Sequence, residues 1–160
     1  MPKIAAQTLG CKVNQFDTEA MLERFEDAGY ESVDFREDAD VYLINTCTVT
    51  GTGDQKSVKL IRRVHREHPN AAIVVAGCLA QRDAKIVALP GVRLILGVKR
   101  RGEVVTLLHE AMEKDAALCA VEGGAPWAFE PLFVERREGK TRATLKIQEG
   151  CDRYCAYCVI

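Results

Sequence analysis

The sequence predicts an α/β protein: an open, mostly parallel sheet with helices on both faces, followed after a connection by a further strand and a cysteine loop. Three observations carry this. Short, continuous apolar runs alternate with amphipathic stretches of helical period up to about residue 115, and strands apolar on both faces belong to parallel sheets covered by helices. The pattern then fades over residues 116–140, which contain Gly123, Gly124, Pro126 and Pro131. It resumes at 141–160 as one strand and a cysteine-rich loop. The expected organisation is an α/β domain at 1–115, a connection at 116–140 and the beginning of a further domain at 141–160.

With 160 residues, 48% hydrophobic, 28% charged and a net charge of −1, the chain has the composition of a soluble globular protein that needs no disulfide staples. Near-neutral charge gives no argument for a nucleic-acid partner. The start Met-Pro-Lys-Ile-Ala-Ala-Gln has no signal-peptide pattern, and the longest apolar run, 71–80, is too short to span a bilayer. A cytoplasmic protein is expected, and in a reducing compartment its seven cysteines point to metal or catalysis.

In order, Lys3 to Leu9 reads as a buried strand ending at Gly10-Cys11. Ala20, Met21, Leu22, Phe25 and Ala28 recur at helical spacing and predict a helix over 16–28. Asp17 and Glu19 suit its first turn and Gly29 its stop. A short strand at 30–35 and one helical turn at 36–40 precede the buried strand Val41 to Ile44, which ends at Asn45-Thr46-Cys47. A helix over 54–68 is closed by Pro69. The strand Ala71 to Ala76 ends at Gly77-Cys78. A helix at 83–89, a strand at 92–96 and a helix at 99–114 complete the domain. In the connection, Trp127, Phe129 and Phe133 are expected to pin the chain to a surface. In 141–148, Ala143, Leu145 and Ile147 alternate with polar neighbours as a strand does.

Cys151, Cys155 and Cys158 have the spacing C-x3-C-x2-C, which lets three thiolates converge on one soft metal centre. Structural zinc takes four protein ligands, and neither Cys nor His follows Cys158. Three ligands suit a cubic iron–sulfur cluster with one iron left free. Cys11, Cys47 and Cys78 lie 36 and 31 residues apart, about one βαβ unit each, and each follows the C-terminal end of a predicted strand, where open α/β sheets bind ligands. Such cysteines are also commonly small buried hydrophobes.

Four segments carry a resemblance: Thr8-Leu-Gly-Cys-Lys-Val-Asn-Gln15, Asn45-Thr-Cys-Thr-Val49, Ala76-Gly-Cys-Leu-Ala-Gln81, and Leu145-Lys-Ile-Gln-Glu-Gly150 with the cysteine loop after it. In this order they resemble the radical S-adenosylmethionine methylthiotransferase family. The resemblance implies two [4Fe-4S] clusters, one on Cys11, Cys47 and Cys78, the other on Cys151, Cys155 and Cys158. The open iron of the second would chelate S-adenosylmethionine, with Tyr157 near its adenine. It also implies a tRNA substrate, an electron donor such as a flavodoxin or ferredoxin, a sulfur source and no membrane. Gly10-Cys-Lys-Val-Asn-Gln15 is most similar to the branch that methylthiolates C2 of N6-threonylcarbamoyladenosine at tRNA position 37. Other branches act on isopentenylated adenosine or on a ribosomal-protein aspartate. Asp152 stands where the family more usually has Asn. In the family a partial α/β barrel continues beyond the cysteine loop, so 141–160 would be its first strand and loop, and the abrupt end on Val159-Ile160 suggests a fragment. A non-enzymatic zinc module or a ferredoxin-type electron carrier is the alternative of another class.

Cys119, outside every motif, is expected to pack in the interior, and Tyr154 within its loop. His65, His68 and His109 are expected to be solvated, as are the basic clusters Lys56, Lys59, Arg62, Arg63, Arg66 and Lys99-Arg100-Arg101. Asn14, Gln15 and Asn45 are candidates to brace the cysteine loops.

Overall fold

The structure is a computed structural model that describes residues 1–47, 51–123, 129–135, 144–148, 151, 153, 155 and 156. Six strands form one all-parallel sheet: β1 (Lys3–Thr8), β2 (Glu31–Val33), β3 (Val41–Thr46), β4 (Ala72–Gly77), β5 (Val92–Leu96) and β6 (Leu118–Ala120), in the order β2-β1-β3-β4-β5-β6. This is the flavodoxin-like, doubly wound order with a sixth strand added. Strand side chains alternate, so β3 sends Val41 and Leu43 to one face and Tyr42 and Ile44 to the other. On the first face α1 (Lys12–Asp27) and α5 (Val104–Glu113) cover the sheet through Met21, Phe25, Val104 and Leu108. The opposite face is covered by α2 (Gly51–Glu67), α3 (Cys78–Arg82) and α4 (Ala84–Val87) through Ile61, Val64, Leu79 and Val87. The α/β layering expected from the alternating runs is therefore present. Among the described residues, no helix is long and apolar enough to cross a membrane.

Several elements differ from expectation, each for a physical reason. α1 starts at Lys12 with Cys11 as its N-cap, so Asp17 lies in the second turn, buried, and serves an ion pair rather than the helix dipole. Residues 36–40 form turns instead of a helical turn, organised by the Asp34 carboxylate, which accepts from the Arg36 amide at 2.9 Å. The helix expected at 83–89 is the shorter α4, capped by the Asp83 carboxylate, which accepts from Lys85 N–H at 3.1 Å, and an unexpected short helix, α3, precedes it over Cys78–Arg82. The helix expected from residue 99 begins as a 3-10 turn at Arg101–Glu103, after Arg100 adopts a left-handed conformation.

Among its described residues the connection carries one short strand, β6, paired parallel to β5. Phe129 and Phe133 are exposed rather than anchoring, and Trp127 lies outside the described residues. Leu132, 7% exposed, fills that role against Phe16 and Ala20 of α1. Residues 144–148 are not a strand, Leu145 and Ile147 are 81% and 82% exposed, and Lys146 turns inward instead. An isolated strand has no neighbour to bury its apolar side against. Residues 141–143 lie outside the described residues.

Candidate cluster site at the sheet edge

The register of the central strands places the first three cysteines. Thr8 of β1 pairs with Asn45 of β3, and Asn45 pairs with Ala76 of β4. These three residues form one row across the sheet, and Cys11, Cys47 and Cys78 follow it by two or three positions. Strands lie about 4.8 Å apart, so the three chains leave the C-terminal edge within about 10 Å of one another. Strand order reverses between β1 and β3, and the crevice at such a reversal is the ligand-binding position of open α/β sheets. Cys11 and Cys47 flank it.

The turns are held by a buried amide network. The Asn14 Nδ2 amide donates to the Thr46 carbonyl at 2.9 Å and to Asn45 Oδ1 at 3.4 Å. Asn45 Nδ2 donates to the Asn14 carbonyl at 2.9 Å and to Thr18 Oγ1 at 3.1 Å. Thr46 Oγ1 donates to the Ala76 carbonyl at 2.6 Å. Each cysteine loop is thus tied to the next, as expected for Asn14 and Asn45, whereas Gln15 is exposed. Cys11 Sγ donates to Asn14 Oδ1 at 3.5 Å.

Glycine before cysteine has a steric cause at two positions. At Gly10 (φ +140) a Cβ would stand 2.8 Å from Cys47 Cβ and 3.1 Å from its Sγ. At Gly77 (φ +98) it would collide with Asn45 Oδ1 and with the Thr46 backbone. Gly77→Ala therefore combines a disfavoured backbone conformation with a clash in the amide network. It is expected to cost about 3 kcal/mol, measurable as a lower denaturation midpoint with an unchanged m-value.

Cys47 is buried, Cys78 half-buried and Cys11 exposed. Burial pushes the Cys78 thiol pKa up. The nearby Cys47 and Cys11 sulfurs and the Asp17 carboxylate push it the same way, and Arg101 opposes them. The Cys78 thiol thus lies near both Cys47 and Cys11. Among the described residues, however, no three His, Cys, Asp or Glu side chains form a group that could hold a metal ion. A single tetrahedral ion would need sulfurs about 3.8 Å apart, from metal–sulfur bonds of about 2.3 Å. A cubane spreads its cysteine ligands over different irons and so spaces them more widely. A donor set of thiols alone suits iron–sulfur or other soft chemistry, so these residues are chemically compatible with a cluster.

Of the second triad, Cys151 and Cys155 are exposed, while Cys158, Tyr157 and Tyr154 lie outside the described residues. Cys119 is exposed on β6 rather than packed. His109 is exposed as expected, whereas His65 and His68 are half-buried. His68 stacks on Tyr42 at 4.8 Å and its Nδ1 lies 2.9 Å from Asp38. His109 Nε2 meets the Tyr30 hydroxyl at 3.0 Å, and His65 Nδ1 is buried. The basic residues of α2 are exposed as expected.

Arg101 overturns its expected solvation: it is 2% exposed. Its guanidinium donates to Asp17 from Nη1 and to Glu130 Oε2 from Nε at 3.0 Å, and Lys146 Nζ reaches Asp17 Oδ1 at 2.9 Å. Sequence reasoning missed this cluster. Its only signal was an acid, Asp17, four residues before Met21 and eight before Phe25, on the apolar stripe of α1.

The family model described as "Uncharacterized protein family UPF0004" matches residues 3–97. Threonylcarbamoyladenosine tRNA methylthiotransferase MtaB of Bacillus subtilis is 44% identical over 100% of this chain and 36% of its own length. A tRNA-2-methylthio-N(6)-dimethylallyladenosine synthase of Desulforamulus reducens is 32% identical over 96% of this chain and 35% of its own. The chain thus spans little more than a third of the length of these relatives. Among solved structures, a response regulator from Thermotoga maritima superposes with a TM-score of 0.51 at 16% identity, covering 71% of this chain and 98% of that one, a likeness of fold alone. The family model, the four motifs and the whole-chain identities agree: the chain belongs to family UPF0004 and corresponds to the N-terminal part of the methylthiotransferases.

Proposed function

We propose that the chain is the N-terminal part of a cytoplasmic tRNA methylthiotransferase that places a methylthio group on C2 of N6-threonylcarbamoyladenosine at tRNA position 37. One observation carries the reading. Cys11, Cys47 and Cys78 leave level, neighbouring strand ends at the reversal of strand order, in a chain 44% identical to a relative named for that reaction. The threonylcarbamoyl branch is favoured over the dimethylallyl branch by 44% against 32% identity.

In this reading Cys11, Cys47 and Cys78 hold one [4Fe-4S] cluster, and Cys151, Cys155 and Cys158 hold a second that takes S-adenosylmethionine beside Tyr157. When bound, the second supplies the electron that cleaves S-adenosylmethionine and the first supplies or carries sulfur. The protein's own contribution is positional. The Asn14–Asn45 network fixes the spacing of the loops, Gly10 and Gly77 let them approach, and burial of Cys47 keeps water from one ligand. The Cys78 thiol, raised by burial, gives up its proton on ligation, so loading strengthens as pH rises. Residues 1–115 form the first domain, 116–140 the connection and 141–160 the start of the catalytic domain. The electron donor would be a flavodoxin or ferredoxin, and a sulfur source is required.

Anaerobic reconstitution followed by elemental analysis tests the reading. About eight irons and eight acid-labile sulfides per chain are expected, four per cluster. Zinc without labile sulfide would overturn it.

A further inference from the structure

The charge cluster around Arg101 joins segments far apart in sequence. Asp17 belongs to α1, whose N-cap is Cys11. Six residues of helix place Asp17 about 9 Å along the axis from that cysteine. Arg101 follows β5 at the same C-terminal edge of the sheet. Glu130 comes from the connection, and its second oxygen accepts from Gly102 N–H at 2.9 Å. Lys146 comes from the stretch leading into the second cysteine group, five residues before Cys151. Its side chain is 3% exposed although both neighbours, Leu145 and Ile147, face solvent.

The same run of chain tracks α1. Glu130 binds at the Arg101 end, Leu132 packs on Phe16 and Ala20, and the Glu135 amide donates to Glu23 Oε2 at 2.9 Å. Lys146 lies on Asp17, nearer the cysteine end of α1 than Glu23 is. A buried lysine has no reason to leave water without a paired charge. Five residues of chain reach at most about 17 Å, so the Lys146–Asp17 contact tethers Cys151 within that reach of Lys146, on the flank of α1 whose N-cap is Cys11.

We propose that Asp17, held by Arg101, which Glu130 holds in turn, is the keeper of a latch whose bolt is Lys146, and that this latch sets the separation of the two cysteine groups. Asp17 and Lys146 are positioning residues, acting through Cys151. The consequence for two clusters rests on the function proposed above; the latch itself does not.

Two measurements separate the two claims. In the metal-free protein, amine acetylation mapped by mass spectrometry should modify Lys146 at least tenfold more slowly than exposed Lys85 and Lys114. Asp17→Asn should bring Lys146 to their rate. Lys146 reacting like a surface lysine in the unsubstituted protein overturns the latch, whether or not the variant folds. In the iron-reconstituted, dithionite-reduced protein, the magnetic dipolar interaction between the two centres should weaken in Lys146→Met and be retained in Lys146→Arg. Two loaded centres whose interaction is unchanged in Lys146→Met also overturn the latch. Failure of either triad to take up iron instead overturns the proposed function, and the acetylation pattern then decides the latch alone.

Discussion

Replacing Cys11, Cys47 and Cys78 together by alanine in the full-length protein is expected to abolish methylthiolation of tRNA, while 5′-deoxyadenosine is still formed from S-adenosylmethionine. Iron should fall from about eight to about four per chain, one cluster's share. The fold should survive. Cys11 is exposed and Cys78 half-buried, and only Cys47, packed on Gly10, leaves a small void of about 1 kcal/mol. The amide network uses Asn14, Asn45, Thr18 and Thr46 and no sulfur beyond the Cys11 contact, so the loops keep their course without the thiols. Iron content, deoxyadenosine and modified nucleoside measured on one preparation decide the matter. A variant that keeps four irons yet forms no deoxyadenosine would contradict the division of roles between the triads.

The sheet was legible because its signal is collective. Val41 to Ile44 and Ala72 to Ala76 are apolar on both faces, which only a covered parallel strand tolerates, and βαβ spacing then puts each following cysteine at one edge. The placement of Cys11, Cys47 and Cys78 just past neighbouring strand ends was legible for the same reason: strand ends are set by topology, not by side-chain detail. What escaped depends on partners remote in sequence. Arg101 looks like the third member of a surface run, Lys99-Arg100-Arg101, and only Asp17 and Glu130, at separations of 84 and 29 residues, make it an interior group. Lys146 sits in an alternating pattern that gives Leu145 and Ile147 to the interior. With no neighbouring strand to cover them, the ion pair fixes the segment's orientation instead. Asp83 caps α4 and separates it from the unexpected α3, a choice that propensity alone leaves open.

Arg101→Met is expected to be among the most destabilising single substitutions in the α/β unit. The methionine keeps much of the side-chain volume, so the cavity contribution is small and the loss is electrostatic. Asp17 would keep Lys146 but lose the guanidinium, and Glu130 would lose its Nε contact while still accepting from the Gly102 amide. Removing one partner from a buried charge cluster costs about 3–5 kcal/mol, because the remaining charges have left water without full compensation. For a domain of this size that corresponds to a fall of about 12–20 °C in Tm. Arg101→Lys restores the charge but not the planar fork that serves two carboxylates at once, and should fall between the two. Thermal and urea unfolding of the three proteins give the order directly. A loss below about 1 kcal/mol for Arg101→Met, the range of an exposed pair, would show that water already reaches Asp17 and Glu130 and that the cluster is not a buried one in solution.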